Sequence, residues 1–178
     1  SAQILEPVKW TYESEQLSET EHNLIFTAKI EKGWTVYSQF TSDEGPVPTS
    51  INFENSEGTE LVGKATEKGH KKEGMDKLFE VNVIKFLDDE DLVLTQKIKV
   101  TDYSKPLTGY LTFMTCDNTR CLPPSDIEFS FNLKNEKGQG SSADANGSTK
   151  VSGITFADNS TTSTQEVPQQ QEVSSGIL

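Results

Sequence analysis

The sequence LIFTAKI, residues 24–30, alternates apolar side chains with mostly polar ones. A period of two residues is typical of a β-strand that buries one face and exposes the other. The same alternation returns at residues 8–12, 79–83, 92–100 and 127–133. Shorter strand candidates surround residues 34–37, 51–53, 61–63 and 110–115. An apolar stripe at helical spacing is absent from the sequence, so we predict strands and no amphipathic helix.

Residues that favour turns separate these stretches. They lie at 32–33, 45–46, 57–58 and 69–70, and in the acidic run at 88–91. Together the alternating stretches and the turns indicate eight or nine short strands. Short strands joined by turn-rich spacers are typical of two packed antiparallel sheets. We therefore predict an all-β, immunoglobulin-like antiparallel β-sandwich.

The charge balance argues against some classes of function. The chain has 178 residues with 16 basic and 28 acidic side chains, which gives a net charge of −12. A nucleic-acid binder needs a basic stripe that neutralises phosphates, and the sequence offers none, so we expect no nucleic-acid partner. No apolar run approaches the roughly 20 residues of a membrane span, so we expect the chain as given to be soluble.

The composition changes at Gly138. Residues 138–178 are rich in Ser, Thr, Gln, Gly and Asn. Such a segment has too little apolar surface to offset the entropy lost on ordering. We therefore predict a folded domain over residues 1–137 and a flexible linker or tail over residues 138–178. Residues 151–157 are the piece of this tail that could pair as a strand.

Cys116 and Cys121 are the only cysteines, and four residues separate them. They stand where one predicted strand ends and the next begins, and a spacer of this length can bring two Cα atoms within bridging distance. One interpretation is a structural disulfide, although closing so short a loop contributes only about 2 kcal/mol in the chain-entropy model. The other is a redox pair, because thiol–disulfide exchange needs an accessible sulfur and a second sulfur beside it. The spacing alone leaves both interpretations open.

The residues beside the cysteines predict unequal reactivity. Arg120 precedes Cys121 and would favour its thiolate. Asp117 follows Cys116 and would oppose ionisation there. Pro123 stiffens the exit from the loop. This asymmetry predicts Cys121 as the attacking sulfur.

The block FMTCDNTRCLPP, residues 113–124, together with IEFSF at residues 127–131, resembles the N-terminal periplasmic domains of the DsbD family of thiol:disulfide interchange proteins. The segments KGWTVYSQ at 32–39 and GPVPT at 45–49 are similar to an aromatic segment and a Gly-Pro loop of that family. The similarity extends over about residues 8–133, and the cysteine block is its most specific part.

The resemblance implies a sandwich with a catalytic cysteine pair near one end. Cys121 would form the mixed disulfide with a partner and Cys116 would resolve it, with no metal and no organic cofactor. Electrons would arrive from a transmembrane domain through a C-terminal thioredoxin-like domain of the same full-length inner-membrane protein. They would leave to periplasmic disulfide isomerases or to the thioredoxins of cytochrome c biogenesis. The membrane would be reached only through that transmembrane domain, which is absent from this sequence.

The resemblance also suggests which residues surround the cysteines. Family members have one more residue between the cysteines, and they shield the bridge with a cap loop that has an aromatic residue before a glycine. The comparable stretch here, residues 69–75, has no aromatic before Gly74. Met75 or Phe79 is therefore the candidate lid, since either could cover a sulfur with an apolar group. Tyr37 matches an aromatic residue near the family's active site.

Two other functions fit the residues. A non-enzymatic binding or adhesion sandwich would use the bridge as a structural element, and the bridge would then resist a thioredoxin-like reductant. A copper or zinc site would combine both cysteines with His22 or His70. Neither histidine stands at a ligand-like spacing from the cysteines, so we expect both to be solvated surface residues and no metal to bind.

Overall fold

The computed structural model of this protein describes residues 4–138 and 150–156. These residues form twelve β-strands and no α-helix. The strands are β1 (Val8–Gln16), β2 (Glu21–Ile30), β3 (Thr35–Tyr37), β4 (Ser50–Asn55), β5 (Thr59–Lys68), β6 (Lys71–Met75), β7 (Asn82–Phe86), β8 (Leu92–Val100), β9 (Leu107–Phe113), β10 (Thr115–Cys116), β11 (Ser125–Phe131) and β12 (Lys150–Phe156). Within these described ranges, no helix is long and apolar enough to cross a membrane.

The strands form three sheets. The first has the order β12-β1-β2-β8-β5, the second β10-β3-β7-β6, and the third β11-β9-β4. Neighbouring strands are antiparallel in every sheet. The prediction of an all-β, immunoglobulin-like antiparallel β-sandwich is confirmed.

The main core lies between the first and third sheets. Alternate side chains of β2 are buried there, as the period of two in residues 24–30 predicts. Burial of each large apolar side chain stabilises the fold by roughly 1.5–3 kcal/mol. Rings of the two sheets meet with centroid distances of 5.6 Å for Trp10 and Phe113, 5.1 Å for Tyr12 and Phe131, and 5.2 Å for Phe26 and Phe129. These contacts join the sheets independently of the cysteines.

The second sheet continues the sandwich at one end. Its strand β3 follows β2 after residues 31–34, and its strand β10 follows β9 after Met114 alone. Tyr37, Val83 and Cys116 are the buried residues of a small apolar cluster in this sheet, separate from the main core. The two cysteines therefore lie at this end of the sandwich, outside the main core.

Two details of the second sheet differ from the prediction. The alternation at residues 79–83 predicted a strand, but β7 begins only at Asn82. The residues before it form a turn, because one oxygen of the Asp76 carboxylate accepts the N–H groups of Leu78 and Phe79 at 2.8 and 3.1 Å. Strand β6 was not predicted, because all five of its residues are exposed and the sequence shows no alternation. It forms through backbone pairing with β7.

The prediction that His22 is a solvated surface residue is wrong. Its side chain is fully buried on β2, and its Nε2 lies 2.9 Å from the Tyr103 hydroxyl. That hydroxyl donates its proton to the carbonyl of Glu19 at 2.7 Å, so it accepts the N–H of Nε2. Burial lowers the pKa of His22 to about 4. His70 is exposed, as predicted, with its Nδ1 2.8 Å from Asp89.

Part of the tail pairs with the sandwich. Strand β12 runs antiparallel to β1 at the edge of the first sheet, with Tyr12 opposite Thr155. This agrees with the expectation that residues 151–157 could form a strand, although position 157 lies outside the described residues. Residues 139–149 and 157–178 also lie outside them. The flexible linker and the domain boundary at 137/138 stay predictions.

Candidate active site

A disulfide joins Cys116 to Cys121, and their Cα atoms are 3.9 Å apart. The two residues face each other as an antiparallel bridge in a tight hairpin. On the loop side of the bridge, the N–H of Asp117 donates to the carbonyl of Arg120 at 2.9 Å. On the other side, the N–H of Leu122 donates to the carbonyl of Thr115 at 3.0 Å. The cysteines therefore occupy a non-hydrogen-bonded position, where the backbones of two antiparallel strands approach most closely. The hairpin geometry itself brings the sulfurs together.

Asp117 organises the tip of this hairpin. Its Oδ1 accepts the backbone N–H groups of Thr119 and Arg120 at 2.8 and 2.9 Å. These backbone hydrogen bonds, first from Thr119 and then from Arg120, hold the pKa of Asp117 below its usual value. The carboxylate is therefore ionised at neutral pH and fixes the turn between the cysteines. The sequence predicted a different effect, an opposing charge beside Cys116, and that effect stays a prediction.

Arg120 directs its charge to the surface beside the hairpin. Its Nε lies 3.8 Å from Oδ2 of Asp117, and its Cζ lies 5.9 Å from the centre of the Trp34 ring. A guanidinium over a tryptophan face is a favourable cation–π contact. These contacts place the guanidinium between the Asp117 carboxylate and the Trp34 ring. The predicted action of Arg120 on the Cys121 thiolate is not tested by them and stays a prediction.

The two cysteines differ in exposure. The side chain of Cys116 is 2% exposed, whereas Cys121 is only partly buried. A thiolate must be reachable to attack a disulfide on another protein. The difference favours Cys121 as the sulfur that meets a partner and Cys116 as the sulfur behind it. Both remain within bonding distance of each other, which is the requirement for resolution of a mixed disulfide.

Tyr37 and Asp76 form a buried polar contact beside Cys116. Tyr37 is 1% exposed and Asp76 6% exposed, and the Tyr37 hydroxyl lies 3.5 Å from Oδ2 of Asp76. Burial raises the pKa of Tyr37 to about 12, and the negative charge of Asp76 adds to this effect. The phenol therefore stays protonated and can donate to the carboxylate. The contact connects β3 to the turn between β6 and β7.

A cleft of about 510 Å³ opens between the cysteine hairpin and this turn. Tyr37 and Cys116 form part of one wall, and Met75 and Leu78 form part of the other. Met75 is 66% exposed and Leu78 43% exposed, so both present apolar surface at the mouth of the cleft. Of the two cysteines, Cys116 lines this cleft and Cys121 does not.

The two candidate lid residues occupy different places. Met75 lines the cleft, at the end of β6. Phe79 is partly buried and packs edge-on against Tyr37, with ring centroids 6.4 Å apart, in the same small cluster as Cys121. Pro123 is exposed two residues after the hairpin and does not line the cleft.

Sequence reasoning missed Asp76 and Leu78. Asp76 had a local signal, since an aspartate whose side chain accepts N–H groups two and three residues ahead is a common turn former. Leu78 had none, because its position at the cleft depends on how β6 and β7 fold against the cysteine hairpin. Both residues lie close to Cys116 only in the folded chain.

The histidines do not join the cysteines. His22 is bonded to Tyr103, and His70 to Asp89. Among the residues that the structure describes, no group of three or more His, Cys, Asp or Glu side chains could hold a metal ion.

Comparison with known proteins gives matches only among solved structures. No family model and no curated protein matches the sequence. The chain is similar to the reduced N-terminal domain of Neisseria meningitidis DsbD, with 17% identity, 70% of this chain and 86% of that chain covered, and a TM-score of 0.44. It is also similar to the N-terminal periplasmic domain of ScsB from Proteus mirabilis, with 20% identity, coverage of 71% and 45%, and a TM-score of 0.48. A third match is the yeast GGA1 GAE domain, with 10% identity, coverage of 72% and 95%, and a TM-score of 0.43.

Proposed function

We propose that this chain is a periplasmic thiol–disulfide exchange domain. It passes reducing equivalents from a membrane-linked, thioredoxin-like donor to oxidised periplasmic proteins through Cys116 and Cys121. The observation that carries the proposal is the placement of the disulfide in a short hairpin, with Cys116 buried beside a cleft and Cys121 partly exposed. The sheets of the main core pack through aromatic contacts without this bridge.

The reaction begins with the domain in its dithiol form. The Cys121 thiolate attacks one sulfur of the partner disulfide, a mixed disulfide forms, and the other partner sulfur leaves as a thiolate. The Cys116 thiolate then attacks Sγ of Cys121, and the second partner sulfur leaves. Two electrons pass to the partner, whose two thiolates take up the two protons that the domain's thiols release. Sulfur alone carries the chemistry, so the step needs no metal and no organic cofactor.

The reverse exchange resets the domain. A reduced thioredoxin-like donor attacks the Cys116–Cys121 bridge, forms a mixed disulfide with Cys121, and leaves in its own disulfide form. The sequence resemblance assigns the donor role to the C-terminal domain of the same full-length inner-membrane protein. It assigns the acceptor role to periplasmic disulfide isomerases or thioredoxins of cytochrome c biogenesis.

A second candidate is a binding or adhesion sandwich with a structural disulfide. Cys116 is buried, and Tyr37 packs in the same small apolar cluster. Both observations favour this candidate, because a covered disulfide is protected from reductants. The two functions differ in one measurable property. A redox bridge is reduced by a thioredoxin-like protein, and a structural bridge resists it.

A trapping experiment tests the proposal. Cys116→Ala leaves Cys121 without its resolving partner, so mixing this variant with a disulfide-form thioredoxin-fold protein should accumulate a mixed disulfide through Cys121. The matched control is Cys121→Ala, which leaves only the buried Cys116 and should trap far less. If neither variant forms a mixed disulfide, and the wild-type bridge resists reduction by a thioredoxin-like donor, the exchange function is wrong and the structural bridge is favoured.

A further inference from the structure

We infer that the cleft selects partners that present carboxylates around their disulfide. The inference rests on the proposed function and specifies the chemistry of the partner. Three lysines line the cleft, Lys72, Lys77 and Lys85, next to Cys116. They gather here in a chain whose net charge is −12. The cleft is therefore locally basic on an otherwise acidic protein.

Two of these lysines face each other across a strand pair. Lys72 on β6 stands directly opposite Lys85 on β7. Like charges at opposed positions of an antiparallel pair are destabilising. The neighbour of Lys85 on its other side is Tyr37, so no carboxylate faces Lys85 across either strand. The sheet itself therefore supplies no cross-strand carboxylate to this pair.

The lysines of the first sheet provide a comparison. There, Lys99 on β8 stands opposite Glu21 on β2 and opposite Glu60 on β5. Opposed charges of unlike sign stabilise a sheet.

The first sheet also holds a lysine pair, Lys9 on β1 opposite Lys29 on β2. Each of those lysines has a carboxylate within 4 Å, Glu6 at 3.4 Å and Asp91 at 3.1 Å. The lysine pair beside the cysteines has no such carboxylate within the described residues.

Within the described residues, none of Lys72, Lys77 and Lys85 lies within 4 Å of a carboxylate. Lys72 and Lys77 are exposed, and Lys85 is partly exposed. Their charges are therefore available to a partner in solution.

The two carboxylates that line the cleft already have hydrogen-bond partners within the protein. The carboxylate of Asp76 accepts the N–H groups of its own turn and faces the hydroxyl of Tyr37. The carboxylate of Asp117 accepts the N–H groups of the cysteine hairpin and pairs with Arg120. Neither acid is paired with a lysine of the cleft.

Apolar surface lies within this basic rim. Met75 and Leu78 expose much of their side chains at the mouth of the cleft. A buried apolar centre with a charged rim is the usual anatomy of a specific protein interface. The occupant that fits is a protein with a disulfide next to an apolar patch and carboxylates around it. Charge complementarity of this kind raises the association rate and rejects partners of the wrong sign.

Two disulfide peptides test the inference. Both are short peptides with one internal disulfide and the same sequence, except that glutamates flank the cysteines in one and serines in the other. The dithiol form of the protein is mixed with each peptide, and the second-order rate of exchange is followed at low and high ionic strength. We expect the acidic peptide to react about tenfold faster at low salt, with the difference shrinking as salt screens the charges.

A triple variant isolates the lysines. Lys72→Gln, Lys77→Gln and Lys85→Gln together should bring the acidic peptide down to the rate of the serine peptide. The matched control changes three exposed lysines outside the cleft, Lys97→Gln, Lys99→Gln and Lys134→Gln, which alters the net charge by the same amount. This control should keep nearly all of the preference for the acidic peptide.

The outcomes separate the two proposals. If both peptides react at equal rates, or if the control removes the preference as fully as the cleft variant does, the selection of acidic partners is wrong and the exchange function stands. If neither peptide oxidises the dithiol form, the exchange function itself fails.

Discussion

The hydroxyl of Tyr37 lies 3.5 Å from the carboxylate of Asp76, and this contact joins the strand beside Cys116 to the turn between β6 and β7. The other oxygen of the same carboxylate holds the turn itself, through the N–H groups of Leu78 and Phe79. Leu78 lines the cleft and Phe79 packs in the cluster that contains the disulfide. One buried carboxylate thus positions both a residue that lines the cleft and a residue that packs in the cluster of the disulfide.

Replacing Asp76 with alanine should make the disulfide easier to reduce. The variant loses the acceptor for two N–H groups and for the Tyr37 hydroxyl. Leaving such buried groups unsatisfied costs about 1–3 kcal/mol, so the turn should loosen. We expect dithiothreitol to reduce the bridge severalfold faster than in the wild-type protein. Asp76→Asn is the control, because its amide oxygen can still accept. An unchanged reduction rate in Asp76→Ala would show that the turn does not limit access to the sulfurs.

Stability should fall as the pH drops from about 6.5 towards 4 because of His22. In the folded protein burial lowers the pKa of His22 to about 4, whereas the unfolded chain has the ordinary value near 6.5. Between these values the unfolded state binds a proton that the folded state does not, so acid favours unfolding. Above pH 6.5 both states are neutral and the effect is absent.

Urea unfolding at pH 7.5 and pH 5 measures this effect. His22→Gln removes the titration and keeps a donor for Tyr103, so its loss of stability between the two pH values should be smaller than that of the wild type. His70→Gln is the comparison variant, because it removes the other histidine, which is exposed, and leaves the contact between His22 and Tyr103 intact. Equal losses in the wild type and His22→Gln would contradict the assignment.

The sequence predicted the parts of the fold that bury one face of a strand. Residues 24–30 and 92–100 alternate because each strand has a core side and a solvent side, and both became strands. Strand β6 escaped prediction because all of its residues are exposed and only its backbone pairs. The cysteine pair was evident because its two members are near in sequence. Asp76 was not, because it lies 40 positions before Cys116 and reaches the site only through the pairing of β7 with β3.

Removing the disulfide should leave the sandwich folded. The bridge closes a loop of four residues, which contributes about 2 kcal/mol in the chain-entropy model. The main core packs through aromatic contacts that do not involve the cysteines. We expect a Cys116→Ala, Cys121→Ala double variant to unfold cooperatively, with a free energy of unfolding lower by about that amount. Loss of the cooperative transition in urea would show that the bridge is needed for the fold.

Replacing Glu80 with glycine should stabilise the turn beside the cysteines. Within the described residues, Glu80 is the one non-glycine residue with a positive φ, at 59°, and its N–H donates to the carbonyl of Asp76 at 2.7 Å. A side chain in this left-handed conformation costs about 1–2 kcal/mol, and glycine removes that strain but loses more backbone entropy on folding. We expect a net gain of about 0.5–1 kcal/mol in the free energy of unfolding, measured with urea. Glu80→Ala keeps the strain, so a gain of equal size in that variant would show that the lost charge is the cause.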